Sequence, residues 1–118
     1  MFKIIRKEKD QLEIAFMGHV TSEEFEGILT ELKNMSEDYD NIRVLLDFRT
    51  LDGYDKIFID KPRFFDSVKN KVERTAIVTG GVSAPVFFEY MRTVSGDYQM
   101  FEASELDEAR EWAFKEKR

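Results

Sequence analysis

Cysteine is absent from the 118 residues, which excludes disulfides and thiolate metal sites and permits a reducing compartment. Long apolar runs are missing too. Nothing approaches the ~20 consecutive apolar residues of a spanning helix, and the start MFKIIRKEKD lacks the extended apolar centre of a signal peptide. Basic residues are in the minority, 18 Lys and Arg against 24 Asp and Glu, for a net charge of −6 and a pI near 4.9. An acidic surface repels phosphate backbones, so no nucleic-acid partner is expected. The same argument opposes electrostatic docking on anionic lipid but leaves apolar insertion open. No repeat, low-complexity tract or linker interrupts the chain. A soluble cytoplasmic domain, with no more than transient membrane contact, is the expectation.

What is present is core material. Apolar residues make up 42% and aromatics 14%, with 11 Phe. One domain spanning residues 1–118 can bury a proper interior at this length. The stretch around which the chain is organised is Ile42–Asp60, IRVLLDFRTLDGYDKIFID. Its apolar run Ile42–Phe48 reads as a strand buried on both faces, followed by a turn at Asp52-Gly53. Polar groups delivered past such a strand's carboxyl end sit where open α/β sheets place ligands.

Ahead of it, Phe2–Lys7 and Gln11–Met17 read as strands of an antiparallel hairpin, the second alternating Leu12, Ile14, Phe16 with its neighbours. Thr21 and Glu24 form a capping box, and Phe25, Ile28, Leu29, Leu32 and Met35 follow at helical spacing. Ser36–Asn41 reads as a loop. After the central strand a second helical segment carries Ile57, Phe64, Phe65, Val68 and Val72, interrupted by Pro62. Either a longer helix is kinked there, or Asp60 caps a fresh one; one kinked or broken element lasting to about Lys71 is the preferred reading. Thr75–Thr79 is a further buried strand. Gly80-Gly81 turns, Ser83 caps, and Pro85 begins a third helix with Val86, Phe87, Tyr90, Met91 and Val94 in its stripe. Gly96 ends it through a left-handed cap. Tyr98–Phe101 is a short strand. Ser104 opens a closing helix with Leu106, Ala109, Trp112 and Ala113 buried, and Lys115, Lys117 and Arg118 at its end. The expected architecture is α/β: a mixed, mostly parallel sheet of about five strands with four helices.

With that order in place, GHVTSEEFEGILTEL, IRVLLDFRTLDGYD, ERTAIVTGG and the closing MFEASELDEAREWAF resemble the STAS domains, and within them the SpoIIAA-like branch. The resemblance covers nearly the whole chain and implies a mixed sheet covered by helices. In sporulation-type members a serine in an Asp-Ser-Ser-Gly turn is phosphorylated to switch partner binding. That turn falls here at Leu51-Asp52-Gly53-Tyr54, which has no serine; Thr50 lies beside it and Ser67 far down the helix. The phosphoswitch is therefore not carried over. The SpoIIAA-like branch implies a binding role, with lipid-like ligands and peripheral membrane contact among its implied partners.

The residues themselves offer four candidate sites. Asp47, Asp52 and Asp55 serve acid/base or cation chemistry only if they converge; the plainer reading makes Asp52-Gly53 a turn and Asp55 a helix cap. His19, the single histidine, lies just before a helix cap and reads as a surface residue. Gly80, Gly81 and Ser83 offer small residues and amides to an anion, without a P-loop or dinucleotide pattern. The aromatic surplus is the most informative. Phe58, Ile59, Phe64, Phe65, Phe87, Phe88 and Tyr90 cluster on the second and third helical segments, and not all can face the sheet; the plainer reading is a thick core between neighbouring helices, the functional one an apolar pocket or groove between them. The leading expectation is a non-enzymatic domain, with no catalytic residue, cofactor or metal, that binds an apolar or lipid-like ligand or a membrane surface. Its site residues are Phe58, Phe64, Phe65 and Phe88, with Arg63 and Arg92 at the rim. The alternative is a protein-interaction module of the anti-sigma-factor-antagonist type, using Asp52 and Tyr54. A third is a small hydrolase or isomerase using His19 with Asp47 or Asp52.

Overall fold

A computed structural model describes residues 1–115, so Lys117 and Arg118 lie outside the described residues. The order is β1 (Phe2–Glu8), β2 (Gln11–Val20), α1 (Ser22–Asp38), β3 (Ile42–Tyr54), α2 (Lys61–Val68), β4 (Val72–Val78), α3 (Pro85–Val94), β5 (Ser95–Phe101), a 3-10 turn (Ala103–Glu105) and α4 (Leu106–Phe114). The five strands lie side by side in sequence order. β1 is antiparallel to β2, while β2 to β5 are mutually parallel. The expected α/β architecture, a mixed and mostly parallel five-stranded sheet with four helices, is thus the observed one.

Sequential strand order decides where the helices go. Each crossover from β2 to β5 steps to the next strand in the same direction, so a common right hand puts α1, α2 and α3 on one face. Residues from all three pack with Phe16, Val44, Leu46 and Phe48 in one core. The centre of that core is four phenylalanines, each no more than 1% exposed. Phe16 stacks on Phe48 at 4.4 Å, and Phe87 reaches Phe25 at 5.1 Å. α4 covers the opposite face, where Ala109 and Ala113 meet Leu45, Ala76 and Val78. Small residues let that helix approach closely. Its last carbonyls are held by guanidinium groups from the sheet: Arg43 donates to Phe114 O and Lys115 O, and Arg74 to Trp112 O at 2.7 Å. Cations there oppose the negative end of the helix dipole.

The Thr21–Glu24 capping box is present in both directions, as the sequence predicts. Several boundaries differ. β3 does not turn at Asp52-Gly53 but continues to Tyr54, because Met17–Val20 extends β2 alongside Thr50–Tyr54. Of the two readings around Pro62, the fresh helix is the one found. Asp60 is the cap, its Oδ1 accepting from Arg63 N at 3.3 Å. That helix stops at Val68 rather than Lys71, and Asn70 at φ 66° makes the left-handed turn that places Val72 in β4. Ser83 is not the cap of α3; Ala84 is, without a side-chain bond. Gly96 is not a left-handed cap either. It lies in β5, where an added Cβ would sit 3.0 Å from Glu73 O. Ser104 falls in the 3-10 turn, and α1 absorbs Ser36–Asp38.

Candidate functional cleft

β3 ends at Tyr54 and α2 begins at Lys61, leaving six residues without regular structure. α2 packs against α1 and scarcely touches α3. Between this segment and α3 opens an apolar cleft of about 820 Å³. One wall is Ile57, Phe58, Ile59 and Phe65; the other is Pro85, Val86, Tyr90 and Thr93 from α3, with Lys61 and Glu89 supplying charge. The α3 residues 86, 90 and 93 recur at helical spacing, so a single ridge faces the cleft.

Two features of the wall are unlike an ordinary core. Phe58 is 85% exposed, far more than any other Phe. Tyr90 is 5% exposed, yet its hydroxyl finds no hydrogen-bond partner among the described residues. Burial pushes the Tyr90 phenol well above its ordinary pKa, so it stays a neutral hydroxyl. A buried hydroxyl without a partner costs about 1–3 kcal/mol.

The structure divides the aromatic residues that sequence groups together. Phe58 and Phe65 line the cleft. Phe64, 2% exposed, belongs to the core, and Phe87 is sealed in it. Phe88 is half-buried and packs edge-on against Phe48 at 4.8 Å, away from the cleft wall. Arg63 is spent elsewhere: its Nη1 donates to Glu26 Oε1 at 2.7 Å, tying α2 to α1. Arg92 lies an i,i+3 step from Glu89 at 3.7 Å and does not line the cleft. The sequence groups Val86 and Tyr90 in one α3 stripe and counts Tyr90 in the aromatic surplus, but names neither, nor Lys61, as a site residue. Val86 proves 49% exposed rather than buried with that stripe, because it faces the cleft.

The remaining candidates do not converge on this cleft. Asp52 is exposed and Tyr54 half-buried at the end of β3. Asp47 is gripped by Arg49, with Nε to Oδ1 at 3.0 Å and Nη2 to Oδ2 at 3.0 Å, so its carboxylate is already occupied. His19 bonds neither Asp47 nor Asp52 but Asp55, Nε2 to Oδ1 at 2.7 Å, and Asp55 Oδ2 accepts from Ser22 N. Asp55 thus secures the first turn of α1, not α2. Gly80 has a structural explanation: a Cβ there would lie 2.3 Å from Phe48 O, so the chain passes too close to β3 for any side chain. Gly81 and Ser83 are exposed beside it. Among the described residues no three His, Cys, Asp or Glu side chains come together in a metal-holding group, and no helix is long and apolar enough to cross a membrane.

The Asp55 contacts carry a pH consequence. The His19 hydrogen bond holds its carboxyl below the ordinary 3.8, the Ser22 amide acts the same way, and desolvation opposes both. A depressed folded pKa means the anchor is intact above the unfolded value and is lost as pH falls through the folded one. His19→Ala should therefore move the Asp55 midpoint upward, toward 3.8, in a carboxyl-carbon NMR titration. An unmoved midpoint would contradict the assignment of His19 as its partner.

Comparison with known proteins agrees with this architecture. A search of functionally curated proteins returns no match. A solved SpoIIAA-like-fold protein of the DUF3478 family from Shewanella loihica PV-4, itself uncharacterized, is similar with a TM-score of 0.63 at 20% identity, covering 96% of this chain and 92% of that one. The anti-sigma factor antagonist SpoIIAA, in its unphosphorylated form, is similar with a TM-score of 0.55 at 15% identity, covering 93% and 96%. At those identities the likeness speaks for the fold. The SpoIIAA-like family profile itself matches residues 11–113, from the first residue of β2 to the last buried residue of α4, and the chain belongs to that family.

Proposed function

We propose that this domain is a non-enzymatic binding module that takes an apolar or lipid-like ligand in the cleft between residues 57–65 and α3. The observation that carries the reading is the apolar cleft of about 820 Å³, open beside the exposed Phe58. That volume lies within the range of small-molecule sites. The ligand class follows from the lining. Ile57, Ile59, Phe65 and Val86 suit a hydrocarbon chain, and Lys61 suits an anionic head. Phe58, exposed in the free protein, folds over the bound chain or enters a bilayer surface when the ligand is exchanged.

The test is solvent extraction of purified protein followed by mass spectrometry, with thermal shift on adding dodecanoate. A bound amphiphile, or a rise in Tm lost in Phe58→Asp, supports the reading; neither an extract nor a shift from fatty acids or phospholipids sinks it. Tyr90→Phe should stabilise the protein by about 1 kcal/mol, by removing an unsatisfied buried hydroxyl. Chemical denaturation reads the change, and a loss of stability would contradict the hydroxyl's lack of a partner.

A second reading is favoured by the fold likeness to an anti-sigma factor antagonist and by exposed Asp52 at the end of β3. It is a protein partner at Asp52 and Tyr54. A pull-down unchanged by Asp52→Lys and Tyr54→Ala would remove it.

A further inference from the structure

The sheet has two outer strands, and they are built differently. β1 is guarded: its register with β2 shifts between Ile4 and Arg6, and it carries Lys3, Arg6 and Lys7. Bulges and cationic side chains are the usual devices that keep an edge from pairing. β5 has neither. Its register with β4 is unbroken from Ser95 to Phe101, and Asp97 is its one charged residue.

The direction of its backbone groups can be read from one bond. Thr79 N donates to Phe101 O at 2.9 Å, so Phe101 turns its carbonyl toward the β4 side. Backbone polar groups alternate along a strand, so Asp97 and Gln99 also face β4, while Gly96, Tyr98 and Met100 present N–H and C=O outward. Among the described residues the sheet ends at β5, and no backbone partner covers its outer side.

We infer that β5 is a self-association edge, which pairs antiparallel with β5 of a second copy about a twofold axis at Tyr98. Three features fit that occupant and register. The outward-facing residues pair among themselves, Tyr98 with Tyr98 and Gly96 with Met100, giving about six ladder hydrogen bonds. Met100, 44% exposed, lies opposite a glycine, which leaves it room. On the other face, exposed Asp97 falls opposite exposed Gln99 of the second copy, so the acids of the two copies avoid each other and each meets an amide donor. An isologous contact of this kind closes as a dimer and does not propagate.

Gln99 gives the decisive substitutions, since it is exposed and its own backbone bonds are made to β4. Gln99→Asp sets two acid–acid pairs across the axis, and Gln99→Lys sets two opposite-charge pairs. Sedimentation velocity of the full chain over the micromolar to millimolar range should show a monomer–dimer equilibrium. Gln99→Asp should weaken it by about tenfold and Gln99→Lys should tighten it, with unchanged thermal melting of the monomer and slower amide exchange at Tyr98 and Met100 on concentration. A chain that stays monomeric throughout overturns the inference. So does a dimer indifferent to both Gln99 variants, or one lost in Ile5→Pro, which would place the contact on β1.

Discussion

Phe87→Ala is expected to cost about 3–5 kcal/mol, as befits a large side chain sealed in the core. The residue is fully buried and meets three other phenylalanines, Phe25 at 5.1 Å, Phe16 at 6.0 Å and Phe48 at 6.3 Å. Those partners come from α1, β2 and β3, so the cavity would open where the helical layer is fastened to the sheet. Their rings are held by strands and a capped helix and can collapse only partly into the space, which puts the cost in the upper part of the range. Since small domains have ~5–15 kcal/mol in all, the variant should be near the limit of folding. Urea unfolding should show a large fall in midpoint with an unchanged slope. Phe88→Ala, one residue on but half-buried, should lose only about 1–2 kcal/mol. Equal losses at the two positions would contradict the assignment of one ring to the core and the other to its margin.

The second large effect is on the opposite face of the sheet. Glu13 is 1% exposed in β2 and accepts two-pronged hydrogen bonds from Arg110 of α4, Nε to Oε1 at 3.0 Å and Nη2 to Oε2 at 2.8 Å. Arg110→Ala would strand a carboxylate beneath α4. Losing one partner of a buried pair costs about 3–5 kcal/mol; Arg110 is itself 38% exposed, so water reaches the gap and about 2–3 kcal/mol is expected here. Replacing both residues by leucine should be close to neutral, because neither charge is then left alone. A deficit as large in the double variant as in the single would contradict this assignment.

How much of this was legible beforehand depended on whether the signal was local. The α1 start was plain, since Thr21 and Glu24 act on amides within one turn. The succession of elements and the mostly parallel sheet were readable because strand-helix-strand units impose parallel crossovers. What failed was decided by partners distant in sequence. Asp52-Gly53 is a turn by local chemistry, yet Gly18 and His19 pair with Leu51 and Gly53 and hold β3 extended. The end of α2 was written in Asn70, whose left-handed backbone is a signal the apolar stripe overrode. Gly96 was read for conformational freedom when its actual use is close approach to Glu73 O. Composition announced more aromatic surface than one layer could bury, and Phe58 and Phe65 are the two of the named Phe residues that line the cleft. It could not separate them from Phe64 and Phe88, because that division depends on α2 leaning on α1 and parting from α3. Nor could it reveal that a tyrosine in a core stripe would keep an unpaired hydroxyl.

Ligand binding between residues 57–65 and α3 is most directly tested by methyl NMR on the full chain titrated with dodecanoate. The account predicts saturable shifts concentrated at Ile57, Ile59 and Val86, with Leu45 and Val78 beneath α4 unmoved. No shifts at millimolar ligand, or shifts at the α4 face instead, would contradict it.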